Sequence, residues 1–268
     1  MALPISEYLK STAVRLISES SAYTGFIVGI REEGAFILTC AHACANLGPT
    51  DMDCVVEGRR YRYPAIRLQW AMDGTGQPFD VALFFAFSRV AFKKRGSLQW
   101  RVPDVPREYL GKTLAAYADT KIRIYGYPNG SPAFLDAVIT ETVEAEALYF
   151  AGQASHSFLS AKPTPESLKL MCGGLSGSPV VSLEGDFVGV AVRGRHVSNE
   201  LELLMVPAVL IMNFVSSGTN SAPHLGPIRY RKLLINTWWR GVQTNIRRHQ
   251  ANVLAQLSKT IPLPKSLC

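Results

Sequence analysis

The sequence predicts an all-β fold of many short strands, and three observations carry that expectation. Apolar runs rich in β-branched and aromatic residues alternate with turn signals over the first two hundred residues. The chain holds 21 glycines and 16 prolines, enough to punctuate a series of short strands. At 268 residues and 47% hydrophobic it can bury one or two cores, so two small β-barrels sharing a cleft would fit.

The elements follow in chain order. Gly25-Phe26-Ile27-Val28-Gly29-Ile30, the polar turn Arg31-Glu32-Glu33-Gly34 and Ala35-Phe36-Ile37-Leu38-Thr39 form a hairpin pattern. Comparable runs cover residues 81–87, 121–127, 137–143 and 180–192, the last broken by a tight turn at Glu184-Gly185-Asp186. Residues 94–112 are polar and carry Pro103, Asp104 and Pro106, which places an inter-barrel linker near 94–118 within one unit spanning 1–218. The pattern changes in the tail, 219–268. On a helical projection Ile235, Trp238, Trp239, Val242, Ile246, His249, Val253 and Leu257 form a stripe of roughly 100°, with Arg240, Arg247 and Arg248 opposite. A basic amphipathic helix is expected there.

Charge is distributed unevenly. After Glu202 there is no acidic residue and there are eight basic ones, leaving 20 of the 28 basic residues against 21 acidic ones in residues 1–202. The formal +7 therefore belongs to the tail. No run of apolar residues is long enough to span a bilayer, and the start MALPISEYLK lacks the basic leader and long apolar core of an export signal. An intracellular, cytoplasmic protein is expected. Five cysteines (Cys40, Cys44, Cys54, Cys172, Cys268) with no C-x-x-C pair fit free, mostly buried thiols.

Chemistry concentrates in three places. His42 closes an apolar strand, Asp80 opens Val81-Ala82-Leu83, and Ser176 sits in the turn Gly173-Gly174-Leu175-Ser176-Gly177-Ser178-Pro179. A serine hydroxyl is a poor nucleophile near neutral pH, so it needs a base in hydrogen-bond reach and a third group that holds the base's tautomer. His42 is the candidate base, Asp80 its orienter and Ser176 the nucleophile. Asp51, Asp53 and Asp73 are alternative orienters, although none opens an apolar strand. The glycines let the backbone turn sharply and aim two N–H groups at a developing oxyanion, and those of Gly174 and Ser176 are the candidates. The chain order His, Asp, Ser, with Ser178 two residues after the serine, disfavours an α/β-hydrolase. His156, His196, His224 and His249 have no ligand partners at metal spacing, so neither a metal nor any other cofactor is expected.

Thr39-Cys40-Ala41-His42, Asp80-Val81-Ala82-Leu83, Tyr125-Gly126-Tyr127-Pro128-Asn129-Gly130 and Gly174-Leu175-Ser176-Gly177-Ser178-Pro179 together resemble the trypsin-like, chymotrypsin-fold serine proteases, in the style of the bacterial HtrA-type branch without a PDZ domain. The resemblance covers about residues 12–216. It implies two six-stranded antiparallel barrels with the site in their cleft, and peptide-bond hydrolysis through an acyl-enzyme. It also places the primary substrate pocket at Leu170, Val192, Arg193 and Gly194, whose apolar floor favours an uncharged residue before the scissile bond. Leu175 departs from the secreted members, which carry there an aspartate that pairs with a freed N-terminus. Activation by N-terminal trimming is therefore not expected.

A protein or peptide substrate is the expected partner. The basic helix has three readings: packing on the barrels or a regulatory protein, peripheral contact with an anionic membrane, or nonspecific phosphate contact, with nucleic acid the least favoured. The rival to an enzyme is a protease fold kept as a binding module or scaffold and attached through that tail.

Overall fold

The computed structural model describes residues 4–18, 21–44, 47, 51–57, 62–72, 78–88, 91–93, 95–97, 117–146 and 155–221. Twelve strands among them close into two barrels. The first holds β1 (Ala13–Ile17), β2 (Ala22–Arg31), β3 (Gly34–Thr39), β4 (Met52–Val55), β5 (Arg62–Met72) and β6 (Pro78–Phe87), in the order β1-β2-β3-β6-β5-β4. The second holds β7 (Lys121–Gly126), β8 (Ala133–Glu146), β9 (Ser155–Pro163), β10 (Pro179–Ser182), β11 (Phe187–Val197) and β12 (Glu200–Pro207), in the order β10-β11-β12-β9-β8-β7. Read around the ring from its first strand, each barrel has the same connectivity. All pairings are antiparallel, and closure leaves no free sheet edge among the described strands.

The burial pattern explains why several strands read as unbroken apolar runs. On β3, Ala35 and Ile37 fill the first barrel, whereas Phe36 and Leu38 face outward into a core shared with the second barrel. β6 divides in the same way, with Ala82 and Phe84 inside and Val81, Leu83 and Phe85 in the shared core. From the other side Tyr125, Val181, Phe187, Val190, Leu204 and Val206 meet them, while Ile124, Val180, Val188, Leu203 and Met205 fill the second barrel. Period-two alternation persists, but both faces are dry, so the polar member of each pair is missing. Phe26 and Phe187 close the seam at 5.6 Å between ring centroids.

Two helices lie over this seam. α1 (Ile5–Thr12) precedes β1 and buries Leu9 in the shared core. Arg123, held by Asp136 at 2.7 and 2.8 Å, also reaches Ser6 of α1 at 3.2 Å. The short α2 (Pro165–Leu168) starts at Thr164, whose side chain caps it by accepting from the Ser167 N–H. α3 (Ala208–Ser221) buries Ala208, Ile211 and Phe214 against the shared core and runs across residue 218, where the tail was expected to begin. The basic amphipathic helix lies outside the described residues, as does nearly all of the expected linker. No helix among the described residues is long and apolar enough to cross a membrane. Cys40, Cys44, Cys54 and Cys172 are free thiols, the first three buried.

Candidate active site

β3 ends at Thr39, and the chain turns through Cys40 and Ala41 into a single 3-10 turn at His42–Cys44. The neighbouring strand β6 carries Asp80 near its start, in register to meet that turn. Asp80 is 3% exposed and accepts two hydrogen bonds from one residue: the His42 backbone N–H at 2.9 Å and Nδ1–H at 2.8 Å. The double contact fixes both the position and the ring orientation of His42, and commits the imidazole proton to Nδ1. Of the alternative orienters, Asp53 sits in the β4 ladder opposite Ile17 and Pro64, Asp51 immediately precedes that strand, and Asp73 lies outside the described residues.

Nε2, the nitrogen turned away from Asp80, has the Cys40 sulfur 3.5 Å away. Burial by itself disfavours the imidazolium, but the Cys40 sulfur beside Nε2 and the hydrogen bond and charge of Asp80 more than reverse it. The His42 pKa is raised above its ordinary 6.5. Nearby Cys44 behaves differently. Burial pushes its thiol up to about 12, so it remains a neutral thiol donating to the Ala41 carbonyl at 3.2 Å.

Ser176 approaches from the second barrel in the turn between α2 and β10. Its hydroxyl donates to the Val192 carbonyl at 2.7 Å. A hydroxyl has one proton, so in this arrangement it is committed to the Val192 carbonyl. The turn itself is tightly held. The Gly173 carbonyl accepts from the Asn129 N–H at 2.7 Å, Leu175 O from the Ser178 N–H at 3.0 Å, and Ser176 O from the Thr24 N–H at 3.1 Å. Gly177 has φ +87°, and a side chain there would fall 2.1 Å from the Thr24 carbonyl and 3.1 Å from the Cys40 nitrogen. Glycine is thus required where the serine turn abuts the histidine turn.

Leu175, beside the serine, is buried in the second barrel's core with Ile122, Val180 and Val188. Leu175 offers no charge of its own to pair there. Next to Ser176 a cavity of about 320 Å³ opens between the turn and β11–β12. Val192, Arg193 and Gly194 line it, joined by Met171, Cys172, Leu201 and Leu203. Leu170, expected at its floor, is instead half-buried against the second barrel's core, and the neighbouring Met171 lines the cavity. One position in a turn decides which side chain faces in, and sequence spacing does not resolve it. Leu201 and Leu203 were missed because they sit on β12, far along the chain from the serine.

Sequence reasoning also passed over Thr24 and Thr39. Both are fully buried, and the Thr39 hydroxyl donates to the Thr24 carbonyl at 2.7 Å. Thr39 stands in the motif that ends at His42, but the signal for a positioning role in either residue is a hydroxyl in an otherwise apolar strand, which must find partners once buried.

Two like antiparallel barrels packed on a common core, with a histidine–aspartate pair on one and a glycine-bound serine turn on the other, define the chymotrypsin class of fold. The chain belongs to the trypsin-like peptidase domain family, whose model matches residues 23–190. It is similar in structure to the Rv3671c protease of M. tuberculosis in its active form, with a TM-score of 0.59 and 15% identity over 80% of this chain and 83% of that one. The inactive form of Rv3671c protease gives 0.54 and 16% over 82% and 93%. The MamO protease domain from Magnetospirillum magneticum gives 0.53 and 19% over 78% and 98%. At such identities the likeness establishes the fold. No curated protein matches the chain in sequence.

Proposed function

We propose that the protein is a serine endopeptidase in which Ser176 attacks a peptide carbonyl, His42 takes its proton at Nε2, and Asp80 holds the imidazole for that transfer. The observation that carries this reading is the two-point contact of Asp80 with His42, which leaves Nε2 as the acceptor. The acyl-enzyme is then hydrolysed by a water that His42 deprotonates. Peptide planarity supports the oxyanion assignment: a trans peptide aims its N–H opposite its C=O, so bonds from Asn129 to Gly173 O and from Ser178 to Leu175 O set the directions of the Gly174 and Ser176 N–H groups.

The cavity beside Ser176 takes the residue before the scissile bond. Its walls are apolar, with Met171, Leu201 and Leu203 facing in, and Arg193 at its side opposes a basic side chain. An uncharged, medium-sized apolar residue fits best. A regulatory partner or a membrane contact through the tail belongs to the same proposal and rests on the tail's charge pattern, while the cytoplasmic setting is supported by the free thiols of Cys40, Cys44, Cys54 and Cys172.

A fluorophosphonate probe and a peptide library test the reading together. Labelling of the full-length chain that disappears in Ser176→Ala, with cleavage after apolar residues, is the expected result. Cleavage mainly after Lys or Arg would overturn the pocket assignment. No labelling at any pH would leave the fold as a binding scaffold.

A further inference from the structure

We infer that Thr24, on the first barrel, is the positioning residue that sets the oxyanion turn of the second, in the role that charge pairing cannot fill where Leu175 follows Gly174. The inference rests on the peptidase reading for its kinetic consequence but stands on geometry of its own. Thr24 is fully buried on β2, and its hydroxyl donates to the Gly174 carbonyl at 2.6 Å while accepting from the Tyr127 N–H at 3.0 Å. Its backbone N–H donates to Ser176 O, and its carbonyl accepts from Thr39 Oγ1. One residue therefore grips both sides of the nucleophile turn, the loop after β7, and the end of the strand that leads to His42.

Gly174 is the joint that needs gripping. It has φ +104°, and a side chain there would lie 2.3 Å from the Tyr127 carbonyl, so only glycine fits. Glycine rotates cheaply, which leaves the peptides on either side of it free to flip unless their carbonyls are held. Asn129 holds the one before, at Gly173 O; the Thr24 hydroxyl holds the one after, at Gly174 O. Both candidate oxyanion donors flank that second peptide. Losing the Thr24 hydroxyl frees it, and also leaves the Gly174 carbonyl and Tyr127 N–H without their partner in a dry seam. Thr39 extends the grip to β3, so the serine turn and the histidine turn are registered against each other through two buried hydroxyls. The bonds are neutral and bury no charge.

Thr24→Val keeps the shape and removes the hydroxyl, and Thr24→Ser keeps the hydroxyl. In full-length protein the valine variant is expected to lose about 10²–10³-fold in kcat with KM within a few-fold, the loss typical of a misplaced oxyanion donor. The serine variant is expected to recover to within about tenfold of wild type, a split that a merely structural role would not produce. Equal rates for wild type and Thr24→Val, or a Thr24→Ser variant as slow as the valine with normal unfolding, would overturn the inference. Should Thr24→Val not fold, Thr39→Val serves: it removes only the bond to the Thr24 carbonyl, a fall in kcat supports the anchor, and an unchanged kcat overturns it. Amide hydrogen exchange over residues 173–178 separates this inference from the peptidase reading. If wild type shows no Ser176-dependent labelling, the peptidase reading falls. Faster exchange in that segment in Thr24→Val, restored in Thr24→Ser, still supports the anchor, and unchanged exchange overturns it.

Discussion

Replacing Asp80 by asparagine tests the proposed relay at its most constrained point. The carboxylate accepts from two groups on His42, and one of them, the backbone N–H, can only donate. Asparagine offers one oxygen and one NH2. Turning the NH2 toward the backbone N–H would set two donors face to face in a buried site, at a cost of about 1–3 kcal/mol, so the oxygen takes that place. The NH2 then faces Nδ1, which must present a lone pair, and the neutral imidazole carries its proton on Nε2. Nε2 can no longer accept from Ser176. The expected loss is about 10⁴-fold in kcat, roughly 5 kcal/mol of barrier, with little change in side-chain volume. The assay is the second-order rate of fluorophosphonate labelling, with a urea unfolding curve as control for folding. A folded Asp80→Asn variant that labels within tenfold of wild type would refute the assignment of Asp80 and the tautomer argument with it.

The remaining predictions concern charge and core. Because His42 must be neutral to accept a proton and its pKa is raised, kcat/KM is expected to climb with pH along a limb displaced above 6.5. Cys40→Ala removes the sulfur 3.5 Å from Nε2 and should move this limb toward lower pH; an unmoved limb would show that the Cys40 contact does not govern the base. The same raised pKa adds stability that is fully present below the unfolded value of 6.5 and is lost as pH rises through the folded value, so unfolding midpoints of wild type and His42→Ala should converge at alkaline pH. Phe187, 1% exposed and packed on Phe26 across the seam, should cost about 3–5 kcal/mol as Phe187→Ala in urea unfolding. A loss below about 1 kcal/mol would mean that the shared core does not hold the barrels together.

Much of the fold was legible because its signals are local. The hairpin of β2 and β3, the start of β6 and the turn between β10 and β11 all declare themselves through apolar runs broken by short polar or glycine-bearing turns. β4, β5 and β12 do not. Arg62, Arg67 and Gln69 interrupt β5, and Glu200 and Glu202 begin β12, so their strand character comes from pairing with β6 and β11 rather than from their own composition. Glu202 is tolerated there because Arg195 at 2.8 Å and Ser160 at 2.6 Å receive its carboxylate, and those partners come from other strands.

The candidate site divides along the same line. The amino-acid order alone determined the family, the His42, Asp80 and Ser176 candidates and the need for glycine around the serine, since each is a residue type at a turn or strand end and needs only neighbours in sequence to be read. Tertiary structure decided what reaches them: Cys40 on Nε2, Val192 on the serine hydroxyl, Met171 in place of Leu170 at the cavity, and Thr24 on Gly174. Thr24 and Gly174 meet across the seam from 150 residues apart, Val192 reaches the serine from β11 within the second barrel, and Cys40 meets Nε2 through the turn it shares with His42. Hydrogen bonds and side-chain packing act over ångströms, so no pattern along the chain encodes a contact that exists only after both barrels have closed.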